Sequence, residues 1–131
     1  MKGVIVNEGV LTVGQAMILE GASQKNSFGA FFEDEGETGY FYAFDSMLEE
    51  PILDAMHIYN VANVTDGAIA SKVQKAWSND GLKSALIIND YVHAVFDFDA
   101  KRGYCRTGFP PLTGWSKDGH TWNDKVLELF K

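Results

Sequence analysis

The sequence predicts a mostly-β or α+β fold: an antiparallel β-sheet sandwich or partly open barrel with one C-terminal helix. Three observations carry this. Short apolar runs alternate with Gly, Asn and Asp along most of the chain. Thirteen glycines stand against three prolines, as many turns require. The tail differs: "HTWNDKVLELFK" spaces its apolar residues as a helix does. At 131 residues and 46% hydrophobic content, the chain suits one domain spanning residues 1–131 with one core.

Taken in order, "GVIV" and "GVLTV" read as two short strands and "AMILEG" as a third. Phe28 to Asp34 and residues 38–44 read as two arms of a hairpin, with Gly36 in the connector supplying the positive φ of a tight turn. As an edge strand, Phe28 to Asp34 could also support a homodimer. In "PILDAMHIYNV", Ile52, Met56 and Tyr59 suit a helix, but the β-branched and aromatic residues at 57–61 favour a strand. "ANVTDGAIAS" reads as loop. "KVQKAW", "LKSALII" and "YVHAVFDF" form a three-stranded meander over 72–98, turning at "SNDG" and at Asn89-Asp90. "YCR" is a last short strand, and "GFPPLTG" is irregular because consecutive prolines cannot join a central ladder. In the tail, Trp122, Val126, Leu127 and Phe130 share a helical face. Thr121 is the expected N-cap, Asp124 a near capping box, and Lys131 sits where the helix dipole favours a cation.

The net charge of -7 argues against nucleic acid and against anionic membrane surfaces, which both need clustered Lys and Arg. The one basic pair, Lys101-Arg102, lies beside Asp97 and Asp99. A single cysteine excludes an internal disulfide. The opening residues make a poor signal peptide, and no run approaches the roughly 20 apolar residues of a membrane-spanning helix. A cytoplasmic protein is expected, with a basic protein as its partner if it has one.

The stretch "FFEDEGETGYFYAFD" sets Glu33, Asp34, Glu35 and Glu37 between aromatic runs. At a hairpin tip all four would stand in water, where salt screens their repulsion and their charge discourages strand pairing. The same cluster could dock a basic protein. A calcium loop is the third reading, but the spacing fails: counted from Asp34, the third residue is Gly36 and the twelfth Asp45. No metal site and no cofactor is assigned.

Catalytic candidates are few. In a regular strand, Tyr91, His93, Val95 and Asp97 point one way and Val92, Ala94, Phe96 and Phe98 point into the core. His93 and Asp97 are then about 13 Å apart along the strand, so an acid–base pair must recruit a neighbour. His57 and Tyr59 share a face, with Asn60 on the other side and Asp54 able to orient an imidazole. A hydrolase using His57 or His93, with Tyr59, Asp97 or Asp54 in support, is the enzymatic alternative. The plainer expectation is two half-buried strand histidines. His120 is expected exposed in a turn. The three histidines have no metal-ligand spacing. Cys105, beside Arg106, reads as a small buried hydrophobe before it reads as a nucleophile. No nucleophile elbow, phosphate loop or dinucleotide fingerprint occurs. Trp115 is either a binding anchor or a residue packed under the C-terminal helix.

Several further stretches belong together: Phe32-Glu33-Asp34 with Gly36-Glu37-Thr38-Gly39-Tyr40-Phe41-Tyr42-Ala43, then His57-Ile58-Tyr59-Asn60-Val61. Trp77-Ser78 with Asp80-Gly81, His93-Ala94-Val95-Phe96-Asp97-Phe98, and Tyr104-Cys105-Arg106 with Phe109-Pro110-Pro111 continue the pattern. Together they resemble an uncharacterised bacterial family, the domain of unknown function 2251. The likeness covers residues 28–115 and departs at Glu35, where an Asp is expected. It implies no activity and no catalytic residue. It directs attention to the acidic hairpin, the two histidine strands and the Pro-Pro segment. In size and charge the chain is similar in character to immunity proteins, which neutralise toxins by binding them; the analogy extends to no residue.

Overall fold

A computed structural model describes residues 4–23, 25–64, 69–111, 113–117 and 119–130. Among the described residues, nine strands form two antiparallel sheets. β1 (Val4–Leu11) opens the first sheet, and β2 (Met17–Ala22), β3 (Phe28–Asp34), β4 (Thr38–Asp45) and β5 (Ile52–Asn60) make the whole of the second as a meander. The chain then returns beside β1 with β6 (Ser71–Trp77), and β7 (Lys83–Ile88), β8 (Tyr91–Asp97) and β9 (Arg102–Cys105) complete the order β1-β6-β7-β8-β9. The expected 72–98 meander and the β3–β4 hairpin are both present. Gly36 at φ +110° turns the hairpin, and Asn89 and Asp90, at φ 50° and 66°, make the tight β7–β8 turn.

The two sheets face each other across one aromatic core. Phe41 from the second sheet stacks on Phe96 from the first at 5.0 Å, and Phe28 stacks on Phe98 at 4.7 Å. Trp77 and Trp115 close around Phe98 at 5.5 and 5.6 Å. Period-2 alternation accounts for this: Ala30 and Phe32 on β3, Phe41 and Ala43 on β4, and Ala94 and Phe96 on β8 are all fully buried. Among the described residues, no helix is long and apolar enough to cross a membrane.

Several expectations are corrected. Residues 4–6 of "GVIV" and 9–11 of "GVLTV" belong to one strand, β1, whose register shifts between Ile5 and Asn7 as it pairs β6. β3 is not an edge, since β2 and β4 bond to it on both sides; a dimer through its edge has no free hydrogen-bonding groups to use. "PILDAMHIYNV" is strand from Ile52, because Asp54, Met56 and Ile58 alternate into the core.

The C-terminal α-helix is absent from the described residues. Asp124–Phe130 is a 3₁₀ helix instead. The Cys105 N–H donates to the His120 carbonyl at 3.0 Å, and Thr121 bridges to Cys105, so the chain is still extended where the N-cap was expected. The Asp124 carboxylate accepts from the Trp122 indole at 2.8 Å, and the Arg106 guanidinium lies 3.6 Å from it, rather than serving a capping box. Asn123 caps the turn by accepting the Lys125 N–H at 2.9 Å. Residues 65–68 of the expected loop, and Lys131, lie outside the described residues.

Candidate functional site

The acidic hairpin divides its carboxylates between two environments. Asp34 is not in water: it ends β3 on the inward side and is fully buried. Its carboxylate accepts the Tyr59 hydroxyl at 2.6 Å and the N–H groups of Gly14 and Gly36, each at 2.8 Å. It thereby latches the β1–β2 turn and the end of β5 to the hairpin. Burial first, and the Asp34 carboxylate second, hold the Tyr59 phenol far above its ordinary value. Glu35 is exposed and folds back on the turn, accepting the Thr38 N–H and hydroxyl at 2.6 Å each, which lowers its pKa. Glu33 is half-buried on the outer face of the sheet, and Glu37 is exposed.

That outer face carries a row of rings. Phe31 and Glu33 point outward from β3, and Tyr40, Tyr42 and Phe44 from β4. Phe31 stacks on Tyr42 at 4.6 Å and meets Phe44 at 6.0 Å; Tyr40 lies 6.0 Å from Tyr42. His57 continues the row 5.4 Å from Tyr40, and Phe109 follows at 5.9 Å. Phe109 is 53% exposed and Ile18, on β2, 55%, so this face is open at both sides. Burial first, then the charge of Glu33, raises the Tyr42 phenol pKa, which marks how close the carboxylates stand to the rings.

A bulge decides where the β5 candidates point. Gly39 pairs with Tyr59, but Tyr40 pairs with His57, leaving Ile58 extra. His57 and Tyr59 therefore do not share a face. Tyr59 turns in over Gly39, where its ring occupies the space of a side chain, and reaches Asp34. His57 turns out, and Asn60 turns out with it, so the His57 Nε2 lies 3.0 Å from the Asn60 Oδ1. The residues after β9 fasten this end: the Phe109 carbonyl accepts the His57 N–H at 2.9 Å, and the Thr107 hydroxyl donates to the His57 carbonyl at 2.6 Å. Together with Thr38, Asn63 and Val64 they line a cleft of about 640 Å³.

A second bulge lies in β8. Leu86 pairs with Ala94 and Ile87 with Val92, so His93 is the extra residue. Val92 consequently packs on the outer cluster of the first sheet, not in the core. His93 lines a separate cavity of about 300 Å³ at the end of the sandwich, with Leu11, Ile58, Tyr59 and Ile88. Burial, with the Arg106 charge second, pushes its imidazole down to about 4, so it is neutral at pH 7. The clefts of His57 and His93 adjoin through Tyr59 and Val64, but the two imidazoles line different ones. Asp97 is buried away from both clefts, accepting the N–H groups of Asp99 and Ala100 at 3.1 Å each. Trp115 is half-buried at the core edge, against Phe96 and Phe98. Cys105 is fully buried in the core.

Two buried charged groups escaped the sequence reading. Asp54 does orient an imidazole, but that of His120, which is fully buried rather than exposed in a turn. The Asp54 Oδ2 lies 2.8 Å from the His120 Nε2 and accepts the Ser116 hydroxyl at 2.6 Å, while the His120 Nδ1 faces the Pro110 carbonyl. Both ring nitrogens face acceptors, which fits an imidazolium against a carboxylate. Burial raises the Asp54 pKa, but the hydrogen bonds from His120 and Ser116 outweigh it and the net is downward. For His120, burial acts downward, and the bonds to Asp54 and Pro110 carry the net upward. The group lies sealed under Gly103, whose Cα leaves no room for a Cβ against Met56, His120 and Phe96. Its geometry suits a clamp that holds Pro110, Ser116 and His120 to β5. Lys75, also fully buried, points inward from β6, and its Nζ donates to the Ala30 carbonyl across the sandwich. Burial pushes its pKa down to about 7. The available signal in both cases was a charged residue at an inward position of an alternating run, between Val73 and Trp77 and before Met56 and Ile58.

Among the described residues, no three of His, Cys, Asp and Glu gather as a metal site would need. A family model described as an uncharacterised protein conserved in bacteria, DUF2251, matches residues 11–131. An uncharacterised protein of Haemophilus influenzae is 40% identical over 95 residues, which is 70% of this chain and 59% of the relative, so the chain spans about three-fifths of that protein's length. No solved structure matches the chain. The family match reaches both the ring-bearing hairpin and the clamped C-terminal segment, and the chain belongs to this uncharacterised bacterial family, DUF2251.

Proposed function

We propose that the chain is a protein-binding module whose docking surface is the outer face of β2–β5, and that its partner presents cationic side chains. The row of rings from Phe44 to Phe109, beside Glu33 and Glu35, is the observation that carries this reading. Aromatic faces attract Arg and Lys, and carboxylates at their rim add Coulombic attraction and steer encounter. Rings already packed on one another lose little freedom on binding, which favours them as anchors. A second copy of the chain is a poor occupant, because it would set Glu33 and Glu35 against their own equivalents in a chain of net charge -7. Hydrolysis at His57 is less well supported, since its Nε2 meets the Asn60 amide where a carboxylate is wanted.

The test is affinity capture from the host's lysate with the wild type, with Tyr42→Ala, and with Glu33, Glu35 and Glu37 all changed to Lys, followed by calorimetry on the purified pair. One basic protein held by the wild type and lost by both variants supports the reading. A partner retained by both variants, or no partner for the wild type, overturns it.

A further inference from the structure

The first sheet carries a different surface feature. β9, Thr121 and the start of the 3₁₀ helix enclose a cleft of about 350 Å³, the size of a small-molecule site. Arg102, Tyr104, Thr121, Trp122, Asn123 and Lys125 line it. We propose that this cleft binds a small aromatic anion.

The cleft gathers more cations and donors than acceptors. Arg102 and Lys125 both reach the cleft, and among the described residues neither has a carboxylate within ion-pair distance. The Arg102 Nε is buried and, among the described residues, has no hydrogen-bond partner. Asp97 stands opposite Arg102 on β8, but its Oδ1 is committed to the backbone of the following turn. Asp124 is engaged by the Trp122 indole and by Arg106. Neither of these two carboxylates lies within ion-pair distance of Arg102 or Lys125, in a chain that is acidic as a whole. A carboxylate or phosphate matches the guanidinium fork, and the Thr121 hydroxyl and Asn123 amide are further donors.

The walls specify the rest of the ligand. The Arg102 guanidinium lies 4.8 Å from the Tyr104 ring centroid, and the Arg106 guanidinium lies 4.0 Å from the Trp122 ring centroid. Two fixed rings and an aliphatic floor at Val126 suit a flat apolar body attached to the charge.

The experiment is an NMR titration of the full, ¹⁵N-labelled chain with benzoate, phenyl phosphate and the neutral benzamide. Benzoate or phenyl phosphate is expected to shift Arg102, Tyr104, Lys125 and the Trp122 indole saturably, with Kd on the order of 1 mM for so small a probe. The tighter of the two names the acid. Benzamide should bind at least about tenfold more weakly. Lys125 is exposed, so Lys125→Gln keeps the fold; it should weaken the anions about threefold or more, and Lys125→Arg should restore them. Arg102→Gln should abolish saturation, and if that variant does not fold the Lys125 pair still decides. Equal binding of benzamide and benzoate, shifts scattered away from the cleft, no saturation by either anion, or indifference to Lys125→Gln would each overturn the proposal.

Discussion

The outer faces of the two sheets obey the same alternation but meet different fates. On the first sheet, Ala76, Ala85, Ile87 and Val95 point outward, and the chain covers them itself with Trp122 and Val126 from its C-terminal segment. On the second, Phe31, Tyr40, Tyr42 and Phe44 point outward, and no described segment lies over them beyond Phe109 at one side. The covered face is small and aliphatic; the open one is aromatic and bordered by acid. An apolar outer face is therefore buried for stability on one sheet and left open on the other, where the proposed docking surface lies. What holds the cover on the first sheet is the Asp54–His120–Ser116 clamp, which anchors the segment just before it.

Breaking that clamp should have the largest effect. Asp54→Ala leaves a buried imidazole and a buried hydroxyl without their acceptor and should cost about 3–5 kcal/mol in urea unfolding. The clamp also carries a pH signature. His120 has a raised folded pKa, so its contribution is complete below its unfolded value of about 6.5 and is lost as pH rises through the folded one. Asp54 has a lowered folded pKa, so its contribution is present above about 3.8 and is lost as pH falls through the folded value. The clamp is thus strongest between those limits. Lys75 acts oppositely at alkaline pH: its folded pKa of about 7 lies below the ordinary 10.5, so the unfolded chain binds the extra proton between them and stability rises with pH there. Lys75→Met should remove that rise, measured as the change in unfolding free energy from pH 7 to pH 10.

Val126→Ala thins the cover on the first sheet and should cost about 1–2 kcal/mol, with no effect on partner binding. Tyr42→Ala, on the open sheet, reverses that pattern: about 1 kcal/mol of stability, from a lost ring contact, but most of the binding. Changing Glu33 and Glu37 to Lys should alter stability by less than about 0.5 kcal/mol, while slowing association with a basic partner most at low salt. Equal losses of binding from Val126→Ala and Tyr42→Ala would erase the distinction between the two faces.

Most strands were legible because their alternation is regular and their turns carry Gly or Asn-Asp. The β7–β8 and β3–β4 hairpins have both signals. The misreadings cluster at bulges. One extra residue at Ile58 reverses the relation of His57 to Tyr59, and one at His93 moves Val92 out of the core; no local pattern in the sequence marks either. The tail misled for another reason: Trp122 and Val126 have helical spacing, but the tertiary bond from Cys105 to His120 keeps the chain extended to Thr121, and Asp124–Phe130 then turns as a 3₁₀ helix. The clamp itself joins residues 66 positions apart, which the sequence advertises only as an acid on an inward face. The aromatic row was half visible, since the rings were evident but their shared, uncovered face required the register.

The most direct test of the open face is an NMR titration of the labelled chain with an arginine-rich peptide, comparing wild type with Tyr42→Ala. Shifts are expected to centre on Glu33, Tyr40, Tyr42 and His57, to weaken with salt and to be largely lost in Tyr42→Ala. Shifts of the same size in both proteins, or centred elsewhere on the acidic surface, would mean that net charge alone recruits the peptide and that the row of rings is not a docking surface.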